Sequence, residues 1–539
     1  VGKNSDNARA AVSAPRLSLA AARELLLSLA RATGEEETEP SLALGRTSSQ
    51  AVYSHHANPN YRAAAMDGIA VRAADTNTAS EASPCTLPEH RTRNTAPAGA
   101  CAPVDTGMAM PDWADAVVMV EHSKQVGGDW QITSPVTVGK HVRRVGEDVD
   151  AGVQLLGRGC RVGAAEIGAM LATGVESLKI RLPPTVAILA TGDEVVQPGQ
   201  AAAPGAVIEF NSRVLTAMLQ ERGAKPVYLG HVADDPDELA RVIGEGAASH
   251  DLLCVIAGSS AGRRDHTVDV LAGLGDVLVR GVDLVPGRPA IIARANGTPI
   301  LGIPGYPVSA WAVCRELLLP LVDACLGGQA GQPTVVTAEL LRAAPSRLGV
   351  EELVRVCLRR DRERLLAVPL PRSSGSITTL LRADAILRIA AHAEGAEPGP
   401  VELEMLRPLD RALGTPLLAG DPHPLVELLA ELSCRSQGHD GKVHDNAPAP
   451  AWLGLGAADG LLAVARGEAD LALLDEQQAA SLGEDISRAT ETGARLLKLG
   501  FEDKTFLLVL AEHGPVAERI ARALTDQSLL DDARLALLD

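Results

Sequence analysis

Aromatic residues make up only 2% of this 539-residue chain. So few rings exclude an extended stacking platform for nucleobases. A basic surface is lacking too: the formal net charge is −18, which disfavours nonspecific nucleic-acid binding. A single pocket could still be dominated by local arginines and hold a small anion. The eight cysteines (85, 101, 160, 254, 314, 325, 357 and 434) contain no C-x-x-C pair. Their spacing argues against structural zinc and for reduced thiols, as in a cytoplasmic protein. Uninterrupted apolar runs of membrane length are also missing. The run from Leu17 to Ala32 carries Arg23, Glu24 and Arg31 and reads as an amphipathic helix. Residue 1 is Val, which leaves room for an upstream segment.

What is present is enough apolar sequence, 46%, for several cores, and a length that implies roughly three to five domains. Residues 1–15 are polar and aperiodic and are expected to be disordered. The expected divisions are 16–50 with 145–183 as a helical linker domain and 51–144 as a small β domain. Then come 184–327 as an α/β domain, 328–410 as a small barrel or sandwich, and 411–539 as a second α/β region. Pro183-Pro184 marks the start of the regular rhythm. Val186–Ala190 reads as a strand, Asn211 or Ser212 as the cap of a helix to Arg222, and Pro226–Val232 as a strand. Asp235-Pro236 opens the next helix. This β-α-β-α-β alternation predicts a parallel or mixed sheet with helices on both faces.

The organising stretch runs from Asp251 to Ala310. Leu252-Leu253-Cys254-Val255-Ile256 precedes the turn AGSSAGRRD at 257–265. Pro299-Ile300-Leu301-Gly302-Ile303 precedes PGYPVS at 304–309, and PGRP at 286–289 lies between. Short unbroken apolar runs are the mark of buried parallel strands. The turns after them belong at the carboxyl edge of the sheet, where α/β proteins bind ligands. Gly258 and Gly262 allow close backbone approach, Ser259, Ser260 and Ser309 offer hydroxyls, and Arg263, Arg264 and Arg288 add positive charge. The pattern suits a phosphorylated or oxyanionic small molecule. TGDE at 191–194 is expected along the same edge. Nearer the N-terminus, AMDGIAV at 65–71 reads as a tight turn into a strand. Lys140, Arg143 and Arg144 precede VGED at 145–148.

AMDGIAV, VGED, TGDE, AGSSAGRRD, PGRP and PGYPVS stand in one order and spacing, and over about residues 15–410 they resemble the molybdenum insertases of the MoeA/gephyrin E-domain family. That resemblance implies a multidomain α/β protein. It would have an elongated helical and β N-terminal portion, a three-layer molybdopterin-binding α/β domain, a small β-barrel and a C-terminal α/β tail. It implies transfer of molybdate onto adenylylated molybdopterin with release of AMP. The alternatives are a molybdopterin adenylyltransferase and a non-catalytic cofactor- or molybdate-binding regulator.

Carried over residue by residue, the resemblance makes Asp67, Asp148, Glu194 and Asp265 the catalytic carboxylates, with Asp67, Glu194 and Asp265 able to hold Mg²⁺. Thr191, Gly192, Asp193, Gly258, Ser259, Ser260, Gly262, Pro304 and Gly305 would line the pterin-phosphate pocket. Arg288, Ser309 and Ser260 would take molybdate. A homodimer is implied, with the Asp67 and Asp148 region of one chain completing the other's cleft. The molybdopterin adenylyltransferase and molybdoenzyme apoproteins are the expected further partners, with no nucleic acid and no membrane. The chain departs from the family at Ala257, commonly Gly, where a positive φ would be costly. It departs again at Arg288, commonly Lys, where a planar fork replaces a point charge. The tail resembles a shortened periplasmic-binding-protein-like (LysR substrate-binding-like) domain, through the helix expected at 424–432 and GEADLALLD at 467–475.

Overall fold

The computed structural model describes residues 14–200, 203–257, 266–328, 331–361, 364–414, 417–420, 451–454, 457–466, 469–501, 504–511 and 536–538. The stretch 1–13, the turn 258–265 and the helix expected at 424–432 lie outside the described residues. The chain divides into two compact units: residues 32–183 with 325–329, and the remainder.

In the smaller unit, β1 (Gly68–Val71) is paired antiparallel on both sides, with β2 (Cys101–Val104) and β3 (Ala116–Met119). All four residues of β1 are buried. Ile69 and Val71 pack with Leu87, Cys101 and Ile132, whereas Ala70 faces Val104, Met110 and Val117. A strand covered on both faces needs no polar alternation, which is why the sequence runs Gly-Ile-Ala-Val. Gly68 is required by close approach: a Cβ there would lie 2.0 Å from the Val118 carbonyl oxygen. The acidic tract forms a strand, Glu35–Thr38, paired antiparallel with Leu178–Arg181. That register sets Arg181 opposite Glu35, with 3.2 Å between their charged groups.

In the larger unit the N-terminal helix spans Leu19–Ser28, shorter than the apolar run, because the Ser18 hydroxyl accepts the Ala21 N–H and caps it at 3.2 Å. The main sheet is built from β4 (Thr185–Thr191), β5 (Lys225–Val232), β6 (Leu252–Ala257), β7 (Asp276–Arg280), β8 (Ile291–Ala295) and β9 (Thr298–Pro304), in the order β5-β4-β6-β9-β8-β7. The first four in that order run parallel, β8 pairs antiparallel with β9, and β7 pairs antiparallel with β8. Helices α1 (Asn211–Arg222) and α2 (Pro236–Ser249) connect the parallel strands. Leu239, Ile243 and Leu271 pack on Leu189, Leu253, Val255 and Ile300. Neither Asn211 nor Ser212 caps α1. Phe210 is the N-cap without a side-chain bond, and Glu209 accepts the Ser212 N–H at 2.8 Å. Carboxylates beside a helix start do this work as well as hydroxyls, and the longer Glu side chain reaches forward into the first turn.

Five further strands, β10 (Val335–Leu340), β11 (Glu351–Asp361), β12 (Arg364–Pro369), β13 (Ala385–Ile389) and β14 (Gly399–Met405), pair in a closed ring. That closure decides for a barrel over a sandwich. In the tail, GLLAVARGEADLALLD splits as expected into the helix Ala457–Ala465 and the strand Leu471–Asp475. The tail's own six-stranded mixed sheet shares a core with the barrel: Leu461, Val464, Leu474 and Val509 pack with Cys357, Val368 and Leu370. Arg359 and Asp470 meet inside this contact at 3.1 Å, their side chains 6% and 4% exposed.

Candidate active site

Three adjacent parallel strands bring the conspicuous turns together. Ala190 pairs with Ile256, and Ala257 with Pro304. TGDE and PGYPVS therefore leave the same edge of the sheet, the edge at which β6 ends. A cavity of about 430 Å³ opens there, lined by Thr191, Glu194, Asn211, Gly305 and Tyr306, with Gly375 from the barrel.

Thr191 ends β4 and is buried, its hydroxyl donating to the Ile256 carbonyl at 3.3 Å. Gly192 follows with φ +130°, a region that favours glycine. Its carbonyl oxygen accepts from His231 Nε2 at 2.6 Å. Asp193 turns aside and accepts the Asp234 N–H at 3.1 Å, so it braces the turn, while Glu194 lines the cavity. Asn211, at the start of α1, donates its amide to the Gly305 carbonyl at 2.7 Å and ties two walls together. Val207, Ile208 and Phe210 make the remaining wall apolar, and Tyr306 stands 60% exposed over the opening. The Val308 N–H donates to the Ser374 carbonyl at 3.0 Å, which holds the barrel loop at the rim. Two carboxylates, Glu194 and the Ser212-bonded Glu209, amide and hydroxyl groups, and an apolar wall with two rings suit an organic ligand carrying a polar end.

Arg288 lies elsewhere. Strand β8 is antiparallel, so PGRP reaches the same edge from the opposite direction, and Arg288 lines a separate cavity of about 310 Å³ with Arg16 and Arg280. Gly287 has φ +130°, and a Cβ there would sit 3.0 Å from Leu284 and Val313 side chains. Arg16 is paired with Asp283 at 2.7 Å. Arg280 and Arg288 are exposed and have no carboxylate partner among the described residues. Ser309 is buried in the short helix Pro307–Val313 and lines neither cavity. Pro304 is the buried last residue of β9. Gly258, Ser259, Ser260, Gly262, Arg263, Arg264 and Asp265 lie outside the described residues. The structure thus joins Thr191, Glu194 and Gly305 and separates Arg288 and Ser309 from them.

Asp67 and Asp148 belong to the smaller unit. Asp67 precedes β1 and accepts the Thr106 N–H at 2.6 Å and the Thr106 hydroxyl at 2.7 Å. These two bonds, the backbone one first, hold its carboxyl below the usual carboxylate range. Asp148 accepts from the Asn58 amide at 2.8 Å. Arg143 and the Arg144 N–H are taken by Glu147. Among the described residues no three His, Cys, Asp or Glu side chains cluster as a ready metal site.

With this geometry in view, similarities to known proteins fall into three consecutive blocks. Residues 17–174 match the MoeA N-terminal region (domain I and II), 187–324 a probable molybdopterin binding domain, and 337–401 the MoeA C-terminal region (domain IV). A putative molybdopterin biosynthesis protein of Methanocaldococcus jannaschii is 30% identical over 66% of this chain and 88% of its own. The chain belongs to the MoeA family of molybdopterin molybdenumtransferases.

Relatives bearing that enzyme name include one from Nostoc sp., 32% identical over 50% of this chain, of whose length this chain spans 65%. Another, from Mycobacterium tuberculosis, is 33% identical over 50% of this chain and 70% of its own. The crystal structure of a MoeA protein from Pyrococcus horikoshii superposes with a TM-score of 0.64. It is 31% identical and covers 73% of this chain and all of its own. The matched MoeA blocks end at residue 401, and the likeness of the tail to a periplasmic-binding-protein-like domain has no support in them. Ala257, expected to be costly at a positive φ, ends β6 in strand pairing and is not among the residues with positive φ.

Reading by motif missed Phe210, Tyr306 and Gly375 and took Asn211 for a cap alone. Rarity was the available signal: the chain has three Phe and four Tyr in all, and one of each lines this cavity.

Proposed function

We propose that this MoeA-family chain is a molybdenum insertase that transfers molybdate onto adenylylated molybdopterin and releases AMP. The observation that carries the reading is the convergence of TGDE and PGYPVS on one cavity, with a second cavity where Arg280 and Arg288 have no carboxylate partner among the described residues. The first cavity suits the organic substrate: an apolar wall for the ring system, with Thr191, Asn211 and Glu194 for its polar end. The second suits the oxyanion, with Arg280 and Arg288 as its cations. Molybdate taken up by the pterin dithiolate and water attacking the adenylate linkage leave metal on the two sulfurs and AMP as product.

Of the two described carboxylates in the substrate cavity, Glu209 is taken by Ser212 and Glu194 is left for a cation, and Mg²⁺ usually takes only one or two carboxylates beside substrate phosphate oxygens. When bound, that ion supplies charge neutralisation at the phosphates. Asp67, held ionised by Thr106, can accept a proton or orient water. In this proposal it acts from a second copy of the chain, in a cytoplasmic homodimer. The tail, taken as a shortened periplasmic-binding-protein-like domain, rests on its helix–turn–strand at 457–475 alone.

The test is AMP release from adenylylated molybdopterin by the purified full chain, with and without molybdate. Release is expected to require molybdate, and equal release in both, or none, overturns the proposal. Asp67→Asn is expected to lower turnover about 10²-fold, as loss of an acid–base group does. Unchanged turnover removes Asp67 from the reaction.

A further inference from the structure

The smaller unit has a cavity of its own. It has a volume of about 360 Å³ and opens over β3, with Val117, Val118 and Met119 as its floor. Its polar lining is Lys140, His141, His122, Ser134 and Thr137. An ammonium, two imidazoles and two hydroxyls are all able to donate, and no carboxylate stands among them.

Two carboxylates on adjoining elements are engaged away from it. Asp115 accepts the Ala73 N–H at 2.7 Å, and Asp67 is held by Thr106. Lys140 is exposed and has no ion-pair partner among the described residues. By contrast, Arg46, Arg91, Arg143 and Arg181 in the same unit each face a glutamate.

The turn that presents these groups is pinned. Gly139 and His141 both have positive φ, +79° and +56°, on either side of Lys140. Four backbone bonds hold the turn: Gly139 N–H to Asp115 at 2.8 Å, Lys140 N–H to Thr137 at 3.0 Å, Val117 N–H to Lys140 at 3.1 Å, and Ala65 N–H to His141 at 2.9 Å. A histidine in the left-handed region costs about 1 kcal/mol or more, and the bonds around it sustain that cost. Groups fixed before a ligand arrives bind with less loss of freedom.

We infer that this cavity binds a small phosphate monoester. Lys140, His141 and His122 take the phosphate oxygens, and Met119, Pro135 and Val136 take the organic remainder. The volume lies at the lower end of the roughly 300–1,000 Å³ typical of small-molecule sites. The inference is independent of the insertase reading, because none of these side chains is assigned to that reaction.

The experiment titrates the full chain, labelled at histidine, with inorganic phosphate and with glycerol 3-phosphate at constant ionic strength. The His122 and His141 ring resonances, assigned by His122→Gln and His141→Gly, are expected to shift saturably with both. Glycine keeps the backbone of position 141, so that variant also reports the loss of one imidazole in an intact turn. Lys140→Met is expected to weaken binding about tenfold, the worth of one charge-assisted hydrogen bond. No saturable shift, an unchanged affinity in Lys140→Met, or refusal of the monoester each overturns the inference.

Discussion

Arg388 and Arg288 belong to the same unit and differ in every neighbour. Arg388, on the barrel strand β13, is bonded to Glu316 and Glu404 at 3.1 and 2.7 Å and also to Glu351. Arg23 joins this network through Glu316 at 2.6 Å. Arg359 is sealed with Asp470 where the tail meets the barrel. Arg288 and Arg280 stand exposed at a cavity without a carboxylate partner among the described residues. Charge in the barrel and tail is thus consumed in joining elements, whereas at the sheet edge it stays available to a ligand. A buried pair must be matched within the fold, because an isolated buried charge is intolerable. An exposed arginine is screened by water and can wait for an anion.

The comparison breaks most severely at Arg359. Arg359→Met removes the charge that faces the buried Asp470 and is expected to cost about 3–5 kcal/mol, read as a fall in the urea midpoint. Asp470→Leu added to it is expected to recover most of that loss. A single variant of wild-type stability would show that this contact does not hold the tail.

Asp384 sharpens the same side of the comparison. Burial pushes its carboxyl up to about 6, against the Leu358 N–H and Arg407, which favour the charged form. A raised acid in the folded state means that stability is full below the ordinary value of 3.8 and falls as pH rises towards 6. The loss across that window is about 3 kcal/mol. Asp384→Asn keeps an acceptor for Leu358 and is expected to match wild type near pH 4 and exceed it above pH 6. A variant less stable at neutral pH would give Arg407 the larger say.

The smallest effect belongs to the open side. Arg288→Met is expected to raise the molybdate needed for half-maximal AMP release about tenfold and to change stability by less than about 0.5 kcal/mol. Unfolding in this variant would erase the distinction between the two kinds of arginine.

Much of this was readable in advance. The strands from 185 to 257, the helix after Asp235-Pro236 and the five barrel strands follow apolar runs and turn residues that act locally. Thr191, Glu194 and Gly305 were readable because the turn after a buried parallel strand has one place to go. Three things were not. The strand at Glu35–Thr38 has no apolar pattern and exists through its partner Leu178–Arg181. Asn211 looked like a cap and instead bridges to Gly305, 94 positions away. Arg288 shares a motif order with the turns at 191–194 and 304–309 but not their cavity, since PGRP leads into β8, which lies beyond β9 in the sheet, and a short motif does not show strand order.

By itself the amino-acid sequence determined the family, the sheet and the turns at its edge, because periodicity and turn chemistry act over a few residues. Tertiary structure alone decided the rest: the separation of the arginine cavity from the cavity at TGDE and PGYPVS, the closure of the barrel, the seating of the tail on it and the donor-lined hollow beside β3. Each of these depends on contacts between residues far apart in the chain, and no local pattern encodes which distant neighbour a side chain will meet.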